Sequence, residues 1–285
     1  MLTNSNQGYS YSLTAQLSKQ FDKGFSGMVA YTHFNTKDLT SNPGSAASSA
    51  WASNPSAVDQ NRPELSYSQF ATPNRVIGSV SYHKEYAKHL GTTVSLFYQG
   101  SSQGRLDYIY SNDMNGDGNA ADLMYIPKDA SEIVFDDIKP STTVLFTAAD
   151  QNTAFWNYVN QDSYLSSHKG QYAERYGVIM PWLNRFDFKI LQDIYTNIGK
   201  SKNTLQLSLD LLNVGNLLNS KWGVYERQTL GSYDITLLKF SKVGTDGIPH
   251  YQMNYTGSSL PTSTYSDVLS VSSTWGAQVG VRYIF

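Results

Sequence analysis

The final stretch, Val271 to Phe285, constrains the fold more than any other part of the chain. Trp275, Ala277, Val279, Val281, Tyr283 and Phe285 occupy one set of alternate positions. Thr274, Gly276, Gln278, Gly280, Arg282 and Ile284 occupy the other. Successive side chains of a strand point to opposite faces, so this alternation makes one apolar and one mostly polar face. Aromatic residues stand near both ends of the apolar set. That is the layout of a membrane-crossing strand with rings at the two headgroup levels. An amphipathic strand of a soluble β-sandwich has the same alternation, and this stretch alone fits both.

Composition narrows the choice. Charged residues make up 15% of the 285, against roughly 25% in soluble domains. The net charge of -2 gives no basic surface for nucleic acid. Mean hydropathy is -0.39, and no apolar run approaches the ~18 residues of a membrane helix. A β-barrel tolerates such an average, because only alternate residues face lipid. There is no cysteine, hence no disulfide or thiolate metal site. The opening Met1-Leu2-Thr3-Asn4 has neither a basic nor an apolar leader segment, so an export signal is expected upstream.

Along the chain, Tyr9, Tyr11, Leu13, Ala15 and Leu17 alternate with polar residues. A turn at Phe21-Asp22-Lys23-Gly24 then leads to a second strand, Phe25 to Phe34. Residues 35–73 lose the alternation and carry Asn42-Pro43-Gly44, with one short helix expected in the Ala/Ser stretch. Val76 to Lys84 and Thr92 to Tyr110 read as strands, the latter with Gly100 and Gly104 as bulges. Residues 111–182 form a second insertion, with a helix expected from about Thr147 to about Leu165. Phe186 to Ile194, a turn at 197–202, and Leu205 to Leu211 make a further hairpin. A third connection, 215–270, holds shorter strand-like pieces at Tyr233–Phe240 and Ile248–Tyr255.

Connections therefore alternate short and long. Soluble sandwiches mix loop lengths at both ends; outer-membrane barrels keep tight turns on the periplasmic side and long loops outside. The fold expected is all-β: an antiparallel transmembrane β-barrel segment of about seven spanning strands, with long extracellular loops containing short helices. Seven strands cannot close alone, because open edges are not tolerated in lipid. Inward-facing Asp187, Lys189, Asp193, Asp210 and Arg282 also need water or a polar plug. Both points suit the C-terminal part of a wider barrel.

Several segments resemble TonB-dependent outer-membrane receptors, nearest to the Oar-like, Bacteroidota type with a carboxypeptidase-regulatory-like domain. They are Asn112 to Asn119 before Leu123-Met124-Tyr125-Ile126-Pro127, Pro181 to Asp187, Leu211 to Asn219, and Gly280 to Phe285. The resemblance implies a barrel of about 22 strands filled by an N-terminal plug. It further implies energy transfer from TonB and import of a ligand held by plug and outer loops. The chain holds no plug, no TonB-contact segment and no leader, so the expectation is a C-terminal barrel fragment. The partners implied are the lipid bilayer, the barrel-insertion machinery, TonB through the missing plug, and an unidentified imported ligand. Val281, Tyr283 and Phe285 resemble the C-terminal insertion signal. The location implied is the outer membrane of a Gram-negative bacterium. An independent porin-like barrel and a soluble secreted glycan-binding β-sandwich are the competing expectations.

Asp113-x-Asn115-x-Asp117-Gly118-Asn119 matches the first half of a calcium loop, whose oxygen ligands recur at every second residue. Met124 stands where a full loop needs Glu; Asp122 is the nearest later carboxylate. A calcium site and a metal-free Asn/Asp/Gly turn both fit. Trp51, Trp156 and Trp182 are read as loop residues that either stack on a ligand or anchor the loops. The five histidines lack ligand spacing, and the adjacent Asp136 and Asp137 imply no acid–base geometry. No nucleophile elbow, phosphate loop or dinucleotide fingerprint is present, so no enzyme is expected.

Overall fold

The computed structural model describes residues 4–41, 44–198 and 201–285. The turn residues Asn42, Pro43, Gly199 and Lys200 lie outside the described residues. Strand accounts for 47% of the chain and helix for 13%, which makes the class all-β.

Seven long strands form one antiparallel meander. They are β1 (Tyr9–Gln20), β2 (Phe25–Asp38), β3 (Asn74–Tyr86), β4 (Leu90–Ser102), β5 (Trp182–Ile198), β6 (Ser201–Leu212) and β7 (Gly276–Ile284). Each pairs with its sequence neighbours, and β1 and β7 do not pair with each other. Three tight connections lie at one end of the sheet and three long ones at the other, as the sequence predicts.

The register matters more than the count. Leu17 stands opposite Val29, which stands opposite Gly78. Val80 faces Leu96, and Leu96 faces Phe188. Phe188 faces Leu211, and Leu209 faces Val279. All six ladders therefore keep the apolar sets on a single face. A slip by one residue in any ladder would turn a strand's whole apolar row to the other side. The opposite face gathers Arg75, Glu85, Arg185, Asp187, Lys189, Asp193, Asp210 and Arg282. There Lys189 meets Asp210 at 2.9 Å, and Gln206 donates to Asp193 at 2.8 Å.

The hydrophobic core is not under this sheet. Leu17 and Val279 are each 77% exposed, and Val80 is 55% exposed on an interior strand. The buried apolar side chains lie instead in the long connections, which fold together as a cap. Tyr108–Tyr110 runs parallel to Ile235–Val243, which pairs antiparallel with Pro249–Met253, itself parallel to Val134–Phe135. The helix Ala148–Gln161 covers this small sheet with buried Phe155, Tyr158 and Val159. Its N-terminus is closed by a capping box, in which Thr147 accepts from the Asp150 N–H and Asp150 reaches back to Thr147. Arg175, buried, ties the first connection to the second by bonding Asn54 Oδ1 at 3.1 Å and Asp38 Oδ1 at 2.9 Å.

Several sequence expectations need correction. The run expected from Thr92 to Tyr110 breaks after Ser102, where Gly104 takes φ +141°, and resumes as separate short pieces. Gly100 is no bulge; it sits in two unbroken ladders. Trp182 opens strand β5 rather than lying in a loop. The second and third connections are a packed unit with its own core, in which Leu123, Met124, Ile126, Ile235, Leu237 and Leu238 are buried. The helix expected over 147–165 is two, Ala148–Gln161 and Ser163–Ser167, and the Ala/Ser helix spans Ala47–Ala52.

Candidate functional site

The largest continuous feature is the apolar sheet face. Its cations are Lys19, Lys37 and Lys84, each close to a strand end. Aromatic rings fringe it at both ends. Phe25, Tyr82, Tyr86 and Tyr283 stand toward the tight turns; Tyr9, Tyr11, Tyr98, Trp182 and Phe186 stand toward the cap. Strands of nine to seventeen residues meet the ~9–11 that a tilted strand needs to cross hydrocarbon. Of the three residues read as an insertion signal, Val281 is 70% exposed and Phe285 90%. Tyr283 hydrogen-bonds Asn203 Oδ1 at 2.6 Å and stacks on Phe285 at 5.9 Å between centroids.

The Asp113–Asp122 segment is an interlocked turn. Asp113 accepts from the N–H groups of Gly116 and Gly118 at 2.7 and 2.8 Å. Asn115 Oδ1 accepts from Asp117 N–H, and Asp117 Oδ1 from Asn119 N–H, both at 2.9 Å. Asp122 takes the Met114 N–H at 2.7 Å and the Asn115 amide at 2.9 Å. Asn119 donates to Ala52 O and Gln60 Oε1, docking the turn on the first connection. Burial pushes the Asp122 carboxyl up, with Asp117 and Asp113 adding to the shift against the pull of backbone N–H groups. Among the described residues, no three His, Cys, Asp or Glu side chains converge as a metal site.

The three tryptophans read as one ligand-contact set lie apart. Trp51 is in the Ala47–Ala52 helix of the first connection, with its Nε1 buried and unpaired. Trp156 packs edge-on against Phe155 at 5.3 Å under the Lys169 ammonium, an anchoring role. Trp182 lines a groove where the apolar face meets the cap, with Tyr98, Asn184, Phe186, Lys221 and Trp222.

That groove, about 610 Å³, is within the usual range of ligand pockets. Tyr98 Oη and Trp182 Nε1 both donate to Asn184 Oδ1, at 2.8 and 3.0 Å. Only a glycine at position 100 permits this, since a Cβ there would come within 2.8 Å of Trp182 Nε1. The far wall, Trp222, was missed by sequence reasoning. It is held by the Asn213–Asn219 turn: Trp222 N–H donates to Asn219 O at 2.9 Å, and Asn216 Nδ2 donates to Trp222 O at 3.0 Å. The Asn-rich segment thus works as a clamp.

Deeper in the cap, Asp107 is fully buried. One carboxylate oxygen accepts the Tyr176 N–H, and the other has no partner. Burial and nearby Asp234 push its carboxyl well up, and burial pushes Asp234 up to about 6.

No protein-family model, no curated protein and no solved structure matches the chain.

Proposed function

We propose that the chain forms part of the wall and outer rim of a TonB-dependent outer-membrane importer. The observation that carries this reading is the single apolar face, continuous over seven strands, exposed and edged by aromatic rings at both ends. Water disfavours so large an exposed apolar surface; hydrocarbon does not. The charged opposite face suits a wide, polar lumen. Further support comes from the edges of the sheet. An odd strand number with β1 and β7 each open on one side calls for more strands in lipid, as in a barrel of about 22.

On this reading the tight turns are periplasmic and the cap is extracellular, where it helps to hold the imported ligand. Val281, Tyr283 and Phe285 serve as the signal for the insertion machinery.

Cell fractionation tests the proposal. The full chain is expected in the outer-membrane fraction, resistant to salt and alkaline carbonate and released by detergent. Recovery as a monomer in buffer without detergent would overturn it.

A further inference from the structure

We propose that a cavity in the cap, between residues 161–167 and residues 263–265, binds a primary alkylammonium group of the kind a lysine side chain or a polyamine carries. The cavity lies wholly within the cap, so the inference does not depend on what surrounds the apolar face.

The charge around this cavity has one sign. Glu226, in its wall, stands directly opposite Asp267 where Glu226–Gln228 pairs with Tyr265–Asp267, so the two carboxylates share one side of that ladder. Like charges placed this way repel. Among the described residues neither has an ion pair, and no Lys, Arg or His side chain lines the cavity. Arg227 is exposed and, next to Glu226 in a strand, points to the other side. His168 lies against the Tyr164 ring, 4.1 Å between centroids, with Nδ1 at 2.8 Å from the Tyr164 carbonyl. Burial and Asp267 both push the Glu226 carboxyl up, as expected of a carboxylate short of a counter-charge.

The rest of the wall supplies acceptors and rings. Asp162 is buried and fully engaged: Oδ2 accepts from Tyr108 Oη at 2.6 Å and Thr264 Oγ1 at 2.5 Å, and Oδ1 from the Leu165 N–H at 2.9 Å. It adds negative potential without a free lone pair. Gln161 Nε2 donates to Thr264 Oγ1 at 3.0 Å, which leaves Gln161 Oε1 as an acceptor. Tyr158, one turn earlier on the same helix face, is fully buried, and its hydroxyl has no hydrogen-bond partner. Tyr164 and Tyr265 present rings, whose faces attract cations. The volume, about 460 Å³, is within the range of small-ligand pockets. A metal ion makes no use of the rings, and among the described residues no three His, Cys, Asp or Glu side chains converge. A quaternary ammonium has no N–H for Glu226 or Gln161. A primary ammonium uses the carboxylate, the amide oxygen and the rings together.

The test is calorimetric titration of the full chain in maltoside with a chelator present. The probes are a Gly-Lys-Gly peptide blocked at both ends, the same peptide with its lysine acetylated, spermidine, and tetramethylammonium. The lysine peptide is expected to bind at least about tenfold more tightly than the acetylated one, the worth of one charge-assisted contact. Glu226→Gln keeps the backbone bond to Gln103 Oε1 and relieves the repulsion with Asp267, so it is expected to fold and to lose that preference. Tyr265→Phe keeps the ring and is expected to retain it. Spermidine tells a free amine from a peptide side chain as the source, and either ranking of the two supports the ammonium chemistry. Equal binding of the lysine and acetyl-lysine peptides, a folded Glu226→Gln that keeps the preference, or tetramethylammonium bound as tightly as the lysine peptide would overturn the proposal.

Discussion

Asp187 accepts the backbone N–H of Asn213 at 2.7 Å, at the point where β6 leaves the sheet. Asn213 is fully buried in the left-handed region, φ +52°, and its amide donates to Gly223 O at 2.9 Å and Ser273 O at 3.4 Å. One residue therefore joins β5, β6 and the approach to β7. Asn tolerates this backbone better than most side chains. Asn213→Ala loses both side-chain bonds and keeps the unfavourable backbone, so it is expected to cost about 1–3 kcal/mol. Asn213→Gly loses the same bonds without the backbone penalty and is expected to cost less. Urea unfolding midpoints rank the two; an unaltered midpoint for Asn213→Ala would refute the clamp.

Val80 and Ser79 are adjacent in β3 and point to opposite faces. Val80 is 55% exposed, so in water a lysine there would change stability by no more than about 0.5 kcal/mol. In hydrocarbon the same substitution costs about 2–4 kcal/mol. Val80→Lys is therefore expected to weaken folding into lipid vesicles by about that amount, while Ser79→Lys leaves it nearly unchanged. Equal effects of the two in vesicles would mean that lipid does not touch this face.

The long strands were legible because each carries its apolar residues at every second position. Leu205, Leu207, Leu209 and Leu211 against Gln206, Ser208 and Asp210 is the plainest case. That periodicity fixes the face as well as the strand, so the ladders follow from it. The cap was not legible. Tyr108 pairs with Ile235, far away in the chain and parallel, and short apolar runs such as Leu123–Ile126 carry no period that names their partners. Trp182 reads as a loop residue because it closes the 111–182 insertion, yet it is the first residue of β5; the proline directly before it interrupts none of the ladder bonds. Trp222 had one usable signal, its place just after the Asn213–Asn219 turn, but the turn's grip on it appears only in three dimensions.

The Asp113 turn makes a separate prediction. Its side-chain oxygens are engaged by N–H groups of the same segment, so the fold of the turn does not depend on an ion. Calcium at about 1 mM, the range of weak extracellular sites, is expected to leave the melting temperature where a chelator leaves it. Asp113→Ala is expected to lower it in both conditions, by losing the bonds to Gly116 and Gly118. A rise that appears only with calcium would favour the ligand set Asp113, Asn115, Asp117, Asn119 and Asp122 instead.

Asp107 and Asp234 should make the cap sensitive to pH. Burial favours the neutral acid at both, lifting Asp234 from 3.8 to about 6 and Asp107 well above its ordinary value. The folded state then binds more protons than the unfolded chain once the pH exceeds 3.8, so stability falls as pH rises. For Asp234 the stabilisation is fully present below 3.8 and gone above about 6, a change of up to ~3 kcal/mol. Asp107 extends the decline to higher pH, partly offset by Arg175 and the Tyr176 N–H. The strands Tyr108–Tyr110 and Ile235–Val243 adjoin these residues, and Ile235 N–H donates to Asp107 O at 2.7 Å. Amide exchange at Ile235–Leu238 is therefore expected to quicken between pH 4 and 6, beyond its intrinsic pH dependence, while β5 and β6 show no such excess. Asp234→Asn removes the titrating group and should flatten that excess. An unchanged profile in the variant would place the pH response elsewhere.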